Sequence, residues 1–265
     1  SGTFNISTAA AFVCAGAGVT VAKHGNRSVS SRCGSADVLE ALGVHIELRA
    51  PGVEACLREA GIAFLFAPFF HPAMRFVMPV RRSLGVRTFF NILGPLCNPA
   101  GVRRQLVGAF SVDVAQRMAA ILARLDAEAV IALHAEDGLD EVSLSAETAA
   151  FLYDAGRPDR AEGPLGFRIR PEDHGIGRAP LAALQGGSAE DNAAILHAIF
   201  SGERGPRRDV TVLNAAYALR TSGRFGDDPA ACFEAAEASI DSGAARDRLQ
   251  RLVDVSQRVA EEAPA

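Results

Sequence analysis

The chain has 265 residues, of which 49% are hydrophobic and 22% charged, a balance typical of a folded globular protein and not of a disordered one. Its formal net charge of −4 provides no bulk positive field for nucleic acid. The five cysteines form no C-x-x-C pair and are odd in number, so we expect a reducing cytoplasm and neither a disulfide framework nor a zinc site.

Helix and strand signals alternate through the first half of the chain. Ser7 or Thr8 is expected to cap a helix of small residues that ends near Gly16, and residues 19–22 read as a short buried strand. Further helices are predicted at 36–42, 53–60, 73–84 and 112–125, further strands at 44–48, 62–67, 104–110 and 129–134, and a loop-rich stretch at 88–99. This alternation indicates an α/β protein whose sheet is covered by helices.

The second half changes in character after residue 141. Residues 148–154 and 166–170 are predicted to be antiparallel strands, and a helix over 188–200 is expected to start at Ser188 with Asp191 completing a capping box. Helices at 210–221, 229–241 and 244–260 complete the prediction. We therefore expect one domain over residues 1–265, with a helical C-terminal third from about residue 188.

Residues 23–31, Lys-His-Gly-Asn-Arg-Ser-Val-Ser-Ser, are unusually rich in hydrogen-bond donors. They follow a predicted strand, where ligands of α/β proteins collect. Lys23 and Arg27 supply charge, and Ser28, Ser30 and Ser31 supply hydroxyls, which is what phosphate oxygens require at short range. The stretch predicts a site for an anionic ligand, although a solvated loop is an open alternative.

The predicted start of the first helix carries Asn5, Ser7 and Thr8. Free N–H groups and hydroxyls at a helix start favour anion binding. An ordinary helix cap uses the same residue types, so this group alone leaves both interpretations open.

Asp140 and Glu141 form an adjacent acidic pair that follows Gly138. On a strand their side chains would point to opposite faces, whereas in a glycine-containing loop both can turn inward. Two neighbouring carboxylates together with a diphosphate are a usual way to hold Mg²⁺, with water completing the shell. Solvated acidic pairs are common in loops, so this interpretation is also open.

Arg81, Arg82 and Arg87 precede the Gly94-Pro95 dipeptide. An arginine fork matches a carboxylate bidentately, which makes Arg81 a candidate ligand for a carboxylate. For Arg82, a basic residue near a helix C-terminus is an equally reasonable interpretation. Gly94-Pro95 is expected to form a stiff loop wall in either case.

Four other polar residues give weaker signals. His24 and His71 could be core or surface histidines, since a lone histidine is more often structural than catalytic, and Asn192 and Asn214 are expected to pack or to cap within helical segments.

In this order and combination, the motifs resemble those of the anthranilate phosphoribosyltransferase family of tryptophan biosynthesis. The resemblance covers essentially the whole chain, and its carrying stretches are residues 1–8, 23–31, 34–40, 71–74, 79–81, 87–88, 90–96, 98–100 and 140–143. It implies an α/β fold of the nucleoside phosphorylase and phosphoribosyltransferase type, with a central mixed, mostly parallel sheet flanked by helices.

The resemblance also implies an activity. The enzyme would transfer the 5-phosphoribosyl group of phosphoribosyl pyrophosphate (PRPP) to the amine of anthranilate and release diphosphate, using two Mg²⁺ ions. Its partners would be these small molecules and, in the full-length protein, a second copy, with no nucleic acid and no membrane.

Site residues follow from the same resemblance. PRPP would contact Thr3, Asn5, Ser7, Thr8, Lys23, Asn26, Arg27, Ser28, Ser30, Ser31 and Ser35, anthranilate would contact His24, Asn26, Arg81, Gly94 and Pro95, and magnesium would bind Ser7, Asp140 and Glu141. An aromatic amine is already neutral at pH 7, so no general base is needed. Lys23, Asn26 and Arg81 would act through electrostatics and alignment.

One feature of the family is missing from the sequence. Its members begin with a small helical domain and a Gly-Thr-Gly-Gly-Asp loop just before the position of Ser1. We therefore expect this chain to lack the N-terminal helical domain and to be weak or inactive alone, while its full-length parent is active. Two alternatives remain: a pyrimidine-nucleoside phosphorylase, which would leave Arg81 and the acidic pair without a task, and a nucleic-acid-binding homologue, which should have lost these motifs and gained positive charge.

Overall fold

The protein is described by a computed structural model that covers residues 2–28, 32–72, 94, 96–226 and 228–262. Its strands form a two-stranded and a four-stranded sheet. The first pairs β1 (Val21–Gly25) with β2 (Ile62–Phe66), and the second has the order β3 (Arg104–Gly108), β4 (Ala129–Ala135), β5 (Thr148–Asp154), β6 (Leu165–Ile169).

The strand directions confirm a mixed sheet. β1–β2 and β3–β4 are parallel, whereas β4–β5 and β5–β6 are antiparallel, so parallel pairs are not in the majority among the described strands. The reason lies in the connections: a helix joins β3 to β4, whereas β4, β5 and β6 are joined by loops and turns that return the chain antiparallel.

Helices flank both sheets, as predicted for an α/β fold. They are α1 (Ile6–Gly16), α2 (Ser35–Ala41), α3 (Ala50–Ala60), α4 (Ala67–Phe70), α5 (Val112–Arg124), α6 (Ala189–Phe200), α7 (Pro206–Ser222), α8 (Pro229–Asp241) and α9 (Ala244–Glu262). Short 3₁₀ turns at Arg160–Glu162, Pro171–His174 and Leu181–Leu184 lie between β5 and α6. None of the described helices combines the length and apolarity needed to cross a bilayer.

Helix α1 is the buried centre of the molecule. Ile6 and the residues from Thr8 to Ala15 are all buried, as expected of a helix that is apolar on every side. Ser239 of α8 donates a hydrogen bond to the Val13 carbonyl at 2.7 Å, and an added Cβ on Gly16 would lie 2.1 Å from the Ser239 hydroxyl. This close packing fixes the C-terminal half of α1 against α8.

Several local predictions are confirmed by the hydrogen bonds. The Asp191 N–H donates to Ser188 Oγ at 3.2 Å and the Ser188 N–H donates to Asp191 Oδ2 at 2.9 Å, which completes the predicted capping box of α6. Helix α3 ends at Gly61, whose φ of +74° is the left-handed conformation of a helix C-terminus.

Two local predictions are wrong. Helix α1 begins at Ile6 with Asn5 at its N-cap, so neither Ser7 nor Thr8 is the cap. The predicted strand at 44–48 is an extended segment without a strand partner in the described chain: the His45 N–H donates to Ser256 Oγ of α9 at 3.0 Å. Its residues alternate between buried and exposed, as in a strand, because one face of the segment packs on the core.

Strand β1 also differs from its predicted bounds. It continues through Lys23, His24 and Gly25, so the first part of the polar stretch is strand rather than loop. The predicted helix at 73–84 and most of the loop at 88–99 lie outside the described residues.

Candidate active site

A cavity of about 1240 Å³ lies where the two sheets meet. It is lined by β1 on one side and by β3 on the other, together with Ser7 of α1 and the acidic pair. A smaller pocket of about 270 Å³ shares some of this lining, and its wall contains the predicted site residues Thr3, Asn5, Ser7, Thr8, Lys23, His24, Ser35, Asp140 and Glu141. The fold thus brings three separate sequence motifs to one place.

The start of α1 joins these motifs through direct contacts. The Ser7 N–H donates to Glu141 Oε1 at 2.9 Å, and Lys23 Nζ donates to Ser7 Oγ at 3.3 Å. The Ser7 N–H belongs to the first turn of a helix, where backbone donors lack an intrahelical acceptor and carry partial positive charge. The Ser7 N–H therefore favours the charged form of Glu141.

The acidic pair lies in a loop of residues 136–145, here called the acidic loop, that follows β4. Gly138 has a φ of +90°, and the Leu139 N–H donates to Asp137 Oδ1 at 3.2 Å. The hydroxyls of Ser143 and Ser145 both donate to the other oxygen of Asp137. Asp137 therefore stabilises the conformation of the loop. The next two carboxylates, those of Asp140 and Glu141, line the cavity.

Electrostatics couple Glu141 to Lys23. Burial raises the pKa of Glu141 to about 8, with the neighbouring Asp140 charge adding to the effect and the Ser7 N–H and Lys23 opposing it. Burial lowers the pKa of Lys23 to about 8, and Glu141 opposes that shift. The negative charge of Glu141 is thus unfavourable in this environment, and an added positive charge would stabilise it.

Residues 26–35, here called the donor loop, are closed by a carboxylate from α2. Asp37 Oδ2 accepts the N–H of Gly34 at 2.8 Å and the N–H of Ser28 at 3.1 Å. Arg27 forms a bidentate ion pair with Glu40, with one Nη2–Oε1 distance of 2.8 Å, and also lies 3.4 Å from Asp37. The Arg27 guanidinium therefore contacts α2 in this structure.

Gly34 is required where the donor loop closes. An added Cβ would lie 2.4 Å from the Ser28 nitrogen, so a side chain at position 34 would push the backbone of Gly34 away from that of Ser28. Ser35 Oγ donates to the Asn26 carbonyl at 3.4 Å across the same closure. Ser30 and Ser31, two predicted PRPP contacts, lie outside the described residues.

Asn5 is held in the pocket by a residue distant in sequence. Asn192 Nδ2 donates to Asn5 Oδ1 at 2.9 Å, while Asn192 Oδ1 accepts the Gly187 N–H at 2.8 Å. Thr3 pairs with Gln185 in an isolated bridge, and the buried Thr8 hydroxyl has no hydrogen-bond partner in the described chain. Asn192, for which the sequence predicts packing or capping, therefore also positions Asn5, a role that the sequence did not indicate.

Two histidines form the opposite part of the cleft. The rings of His24 and His71 meet edge to face with centroids 5.0 Å apart, and His24 Nδ1 lies 3.2 Å from the Gly94 carbonyl. The Nε2 atoms of both rings are buried and lack a hydrogen-bond partner within the described residues. Burial lowers the pKa of His24, with a smaller contribution from His71. His71 is thus a site residue that the sequence left undecided.

Arg81 and Pro95, predicted to contact anthranilate, lie outside the described residues, and Gly94 lines the larger cavity. Cys97 also lines this cavity and is exposed, whereas Cys14, Cys33, Cys56 and Cys232 are buried.

No group of three or more His, Cys, Asp or Glu side chains in the described part of the chain is arranged to hold a metal ion. Asp140, Glu141 and Ser7 supply oxygen ligands only, which suits a hard cation such as Mg²⁺. A cation at this position would need further oxygens from a ligand and from water.

Comparison with known sequences gives a family match over most of the chain. The profile described as "Glycosyl transferase family, a/b domain" matches residues 1–246. The anthranilate phosphoribosyltransferase of Salinibacter ruber is 65% identical over 261 residues, which is 98% of this chain and 75% of the relative.

Comparison with solved structures gives the same result. Anthranilate phosphoribosyltransferase from Thermus thermophilus superposes with a TM-score of 0.87 at 42% identity, over 97% of this chain and 74% of that chain. The enzyme from Saccharomyces cerevisiae in complex with PRPP and Mg superposes with a TM-score of 0.86 at 29% identity, over 97% and 71% respectively.

Proposed function

This chain belongs to the anthranilate phosphoribosyltransferase family, and we propose that its cleft transfers the 5-phosphoribosyl group of PRPP to the amine of anthranilate. The anthranilate nitrogen forms a bond to C1 of the ribose while the bond from C1 to the diphosphate oxygen breaks, and the amine then loses a proton. The observation that carries the proposal is the contact of Glu141 and Lys23 with Ser7, which brings carboxylate, cation and helix N-terminus together.

The acidic pair fits a magnesium site. Asp140 and Glu141 are adjacent carboxylates, and the raised pKa of Glu141 arises from burial and from Asp140, so a divalent cation relieves both costs. We propose that they hold two Mg²⁺ ions, with the Ser7 hydroxyl as a further ligand and with diphosphate and water completing each shell. When bound, Mg²⁺ neutralises the charge that develops on the departing diphosphate.

The donor-rich side of the cleft would bind PRPP. Lys23 keeps most of its positive charge at pH 7, since its lowered pKa is still about 8, and it lies beside the acidic pair. Its ammonium group would face the diphosphate and stabilise the leaving group. The proposed PRPP contacts remain Thr3, Asn5, Ser7, Thr8, Lys23, Asn26, Arg27, Ser28, Ser30, Ser31 and Ser35.

The histidine side of the cleft would bind anthranilate. His24 borders the cavity with an unpartnered, buried Nε2 in the described structure, and Gly94 contacts its other ring nitrogen. Asn26, Arg81 and Pro95 complete the proposed contacts, with Arg81 matching the carboxylate. The neutral amine needs alignment with C1 more than it needs a base.

The decisive experiment replaces the acidic pair in the full-length protein. The double variant Asp140→Asn/Glu141→Gln should lose about 10³-fold or more of its Mg²⁺-dependent turnover, since it loses the cation that stabilises the leaving group. Circular dichroism should show an unchanged fold. Glu136→Gln is the matched control: it lies in the same loop but pairs with Arg168 on the surface at 2.7 Å, and it should keep normal rates. Equal rates for the double variant and the control would remove the metal assignment.

A second variant tests the anthranilate side. Arg81→Ala should raise the KM for anthranilate far more than the KM for PRPP, because only anthranilate's carboxylate would lose its partner. If both constants move together, Arg81 is structural. Assays with thymidine or uridine plus phosphate should show no turnover.

The broader properties of the protein are also proposed from the family. Residues 1–265 would form the large α/β domain that binds PRPP and Mg²⁺, and the full-length protein would be a cytoplasmic homodimer. Sedimentation of the full-length protein as a monomer would contradict the homodimer.

A further inference from the structure

Asn214 of α7 is buried against the backbone of the acidic loop. It is 3% exposed, and its Oδ1 accepts the Val142 N–H at 2.9 Å. Its Nδ2 donates to the carbonyls of Val142 and Val210, both at 2.9 Å. Both amide hydrogens and the carbonyl oxygen of the side chain are therefore used. Two of the three bonds join Asn214 to the N–H and carbonyl of the same residue, Val142.

This pair fixes the peptide that follows Glu141. The Val142 N–H lies in the same planar unit as the Glu141 Cα and carbonyl, so holding the N–H holds the main chain of Glu141. The Val142 side of the loop is fully buried, so water does not replace a lost partner there. The direction in which the Glu141 side chain leaves the loop is therefore tied to Asn214.

Gly108, the last residue of β3, supports the other side of the acidic pair. A Cβ built on Gly108 would lie only 1.7 Å from the Asp140 carbonyl oxygen, a contact that no side chain permits. The main chain of Asp140 thus rests directly on β3. The main chain is therefore supported on both sides of Glu141, by Gly108 of β3 at Asp140 and by Asn214 of α7 at Val142.

We propose that Asn214 is a positioning residue for cation binding, which holds Asp140 and Glu141 toward Ser7 by pairing with Val142, while Gly108 provides the space on the opposite side. This inference rests on the proposed function, since it concerns how that function's metal ligands are placed. Residues that orient metal ligands typically change metal affinity or activity 10- to 100-fold when they are replaced.

The test compares Asn214→Ala with Thr211→Val in the full-length protein. Thr211 lies three residues earlier in the same helix, is buried, and donates its hydroxyl to the Arg207 carbonyl at 2.8 Å, with no hydrogen bond to the acidic loop in the described chain. Both variants lose buried hydrogen bonds, so both should lose stability. Only Asn214→Ala should alter the metal site.

Three measurements distinguish positioning from general stability. In Asn214→Ala, the Val142 amide should exchange its hydrogen at least about tenfold faster, and binding of Mn²⁺ in the presence of PRPP, followed by electron paramagnetic resonance, should weaken about 10- to 100-fold. The Mg²⁺ concentration for half-maximal turnover should rise by a similar factor, with the KM for anthranilate little changed. Thr211→Val should match the wild type in all three.

A second variant covers the case in which Asn214→Ala does not fold. Gly108→Ala pushes on Asp140 from β3 and should weaken Mn²⁺ binding in the same way. Its control is Gly166→Ala in β6, where the added Cβ meets Phe151 at an ordinary 3.5 Å. Mn²⁺ binding of wild-type strength in whichever of Asn214→Ala and Gly108→Ala folds would overturn the inference. Absence of Mg²⁺-dependent turnover in the wild type would instead overturn the proposed function, so the two failures are separable.

Discussion

The acidic loop and the donor loop face the same cleft but are stabilised by different kinds of contact. The acidic loop is held from the interior, by the Asn214 carboxamide, by the contact with Gly108 and by serine hydroxyls on Asp137. The donor loop is held at the surface, by Asp37 and by the exposed pair of Arg27 and Glu40.

The difference has an energetic meaning. A buried hydrogen bond that loses one partner costs about 1–3 kcal/mol, whereas an exposed ion pair contributes about 0–1 kcal/mol. Displacing the acidic loop is therefore expensive, whereas in the donor loop the Arg27–Glu40 pair is cheap to break and the bonds to Asp37 are the costly ones.

Among single substitutions, the largest effect is expected at Lys23, which lies where the two regions meet. Lys23→Met keeps the length of the side chain and removes its charge beside Ser7, so kcat/KM for PRPP should fall about 10²- to 10³-fold. Lys23→Arg, which retains the charge, should recover part of the loss. A change confined to the KM for anthranilate would show that the charge of Lys23 does not act on PRPP.

A smaller effect is expected at the closure of the donor loop. Asp37→Ala removes the carboxylate that accepts the N–H groups of Ser28 and Gly34, and should reduce the free energy of unfolding by about 2 kcal/mol and raise the KM for PRPP about tenfold. The dependence on Mg²⁺ should not change, because the acidic loop is untouched.

Glu40→Gln is the control for this variant. Its ion pair with Arg27 is exposed, so the free energy of unfolding in urea should change by less than about 1 kcal/mol. Equal losses in Asp37→Ala and Glu40→Gln would show that surface charge, and not the closure of the loop, stabilises this region.

The smallest effect is a pH dependence on the interior side. His174 lies 2.9 Å from the hydroxyl of Tyr217, which follows Asn214 by one turn of α7, and stacks on Phe233. Burial lowers the pKa of His174, with Asp173 opposing and Arg220 adding to the shift.

The sign of the effect follows from this lowered pKa. The unfolded chain binds the proton more tightly, so the stabilisation is complete above the unfolded pKa of about 6.5 and is lost as pH falls through the folded pKa. His174→Gln should flatten that slope in urea titrations between pH 7.5 and 5, by less than the change expected for Asp37→Ala. An unchanged slope would assign the pH dependence to other groups.

Much of this arrangement was predictable from local sequence. The α/β alternation, the capping box at Ser188 and the three site motifs are each encoded within a few neighbouring residues. The rule that ligands collect beyond strand ends pointed to residues 23–31 alone, and the resemblance to a known family joined the other motifs to them.

The supporting contacts were not predictable in the same way. Asn214 pairs with Val142 across 72 positions of the chain, and Asn192 pairs with Asn5 across 187. Such partners depend on how helices pack, and a buried asparagine in a helix gives no sign of which backbone it will meet. The segment at 44–48 failed for a related reason, since its alternation reports burial and not strand pairing.

The uneven accessibility of the thiols has a practical consequence. Cys97 is exposed on the wall of the cleft, and the other four cysteines are buried. A maleimide dye should therefore attach at one defined point beside the proposed substrate site, without any of these five cysteines having to be removed. Its emission would report ligand occupancy at equilibrium, so affinities could be measured even for variants that no longer turn over.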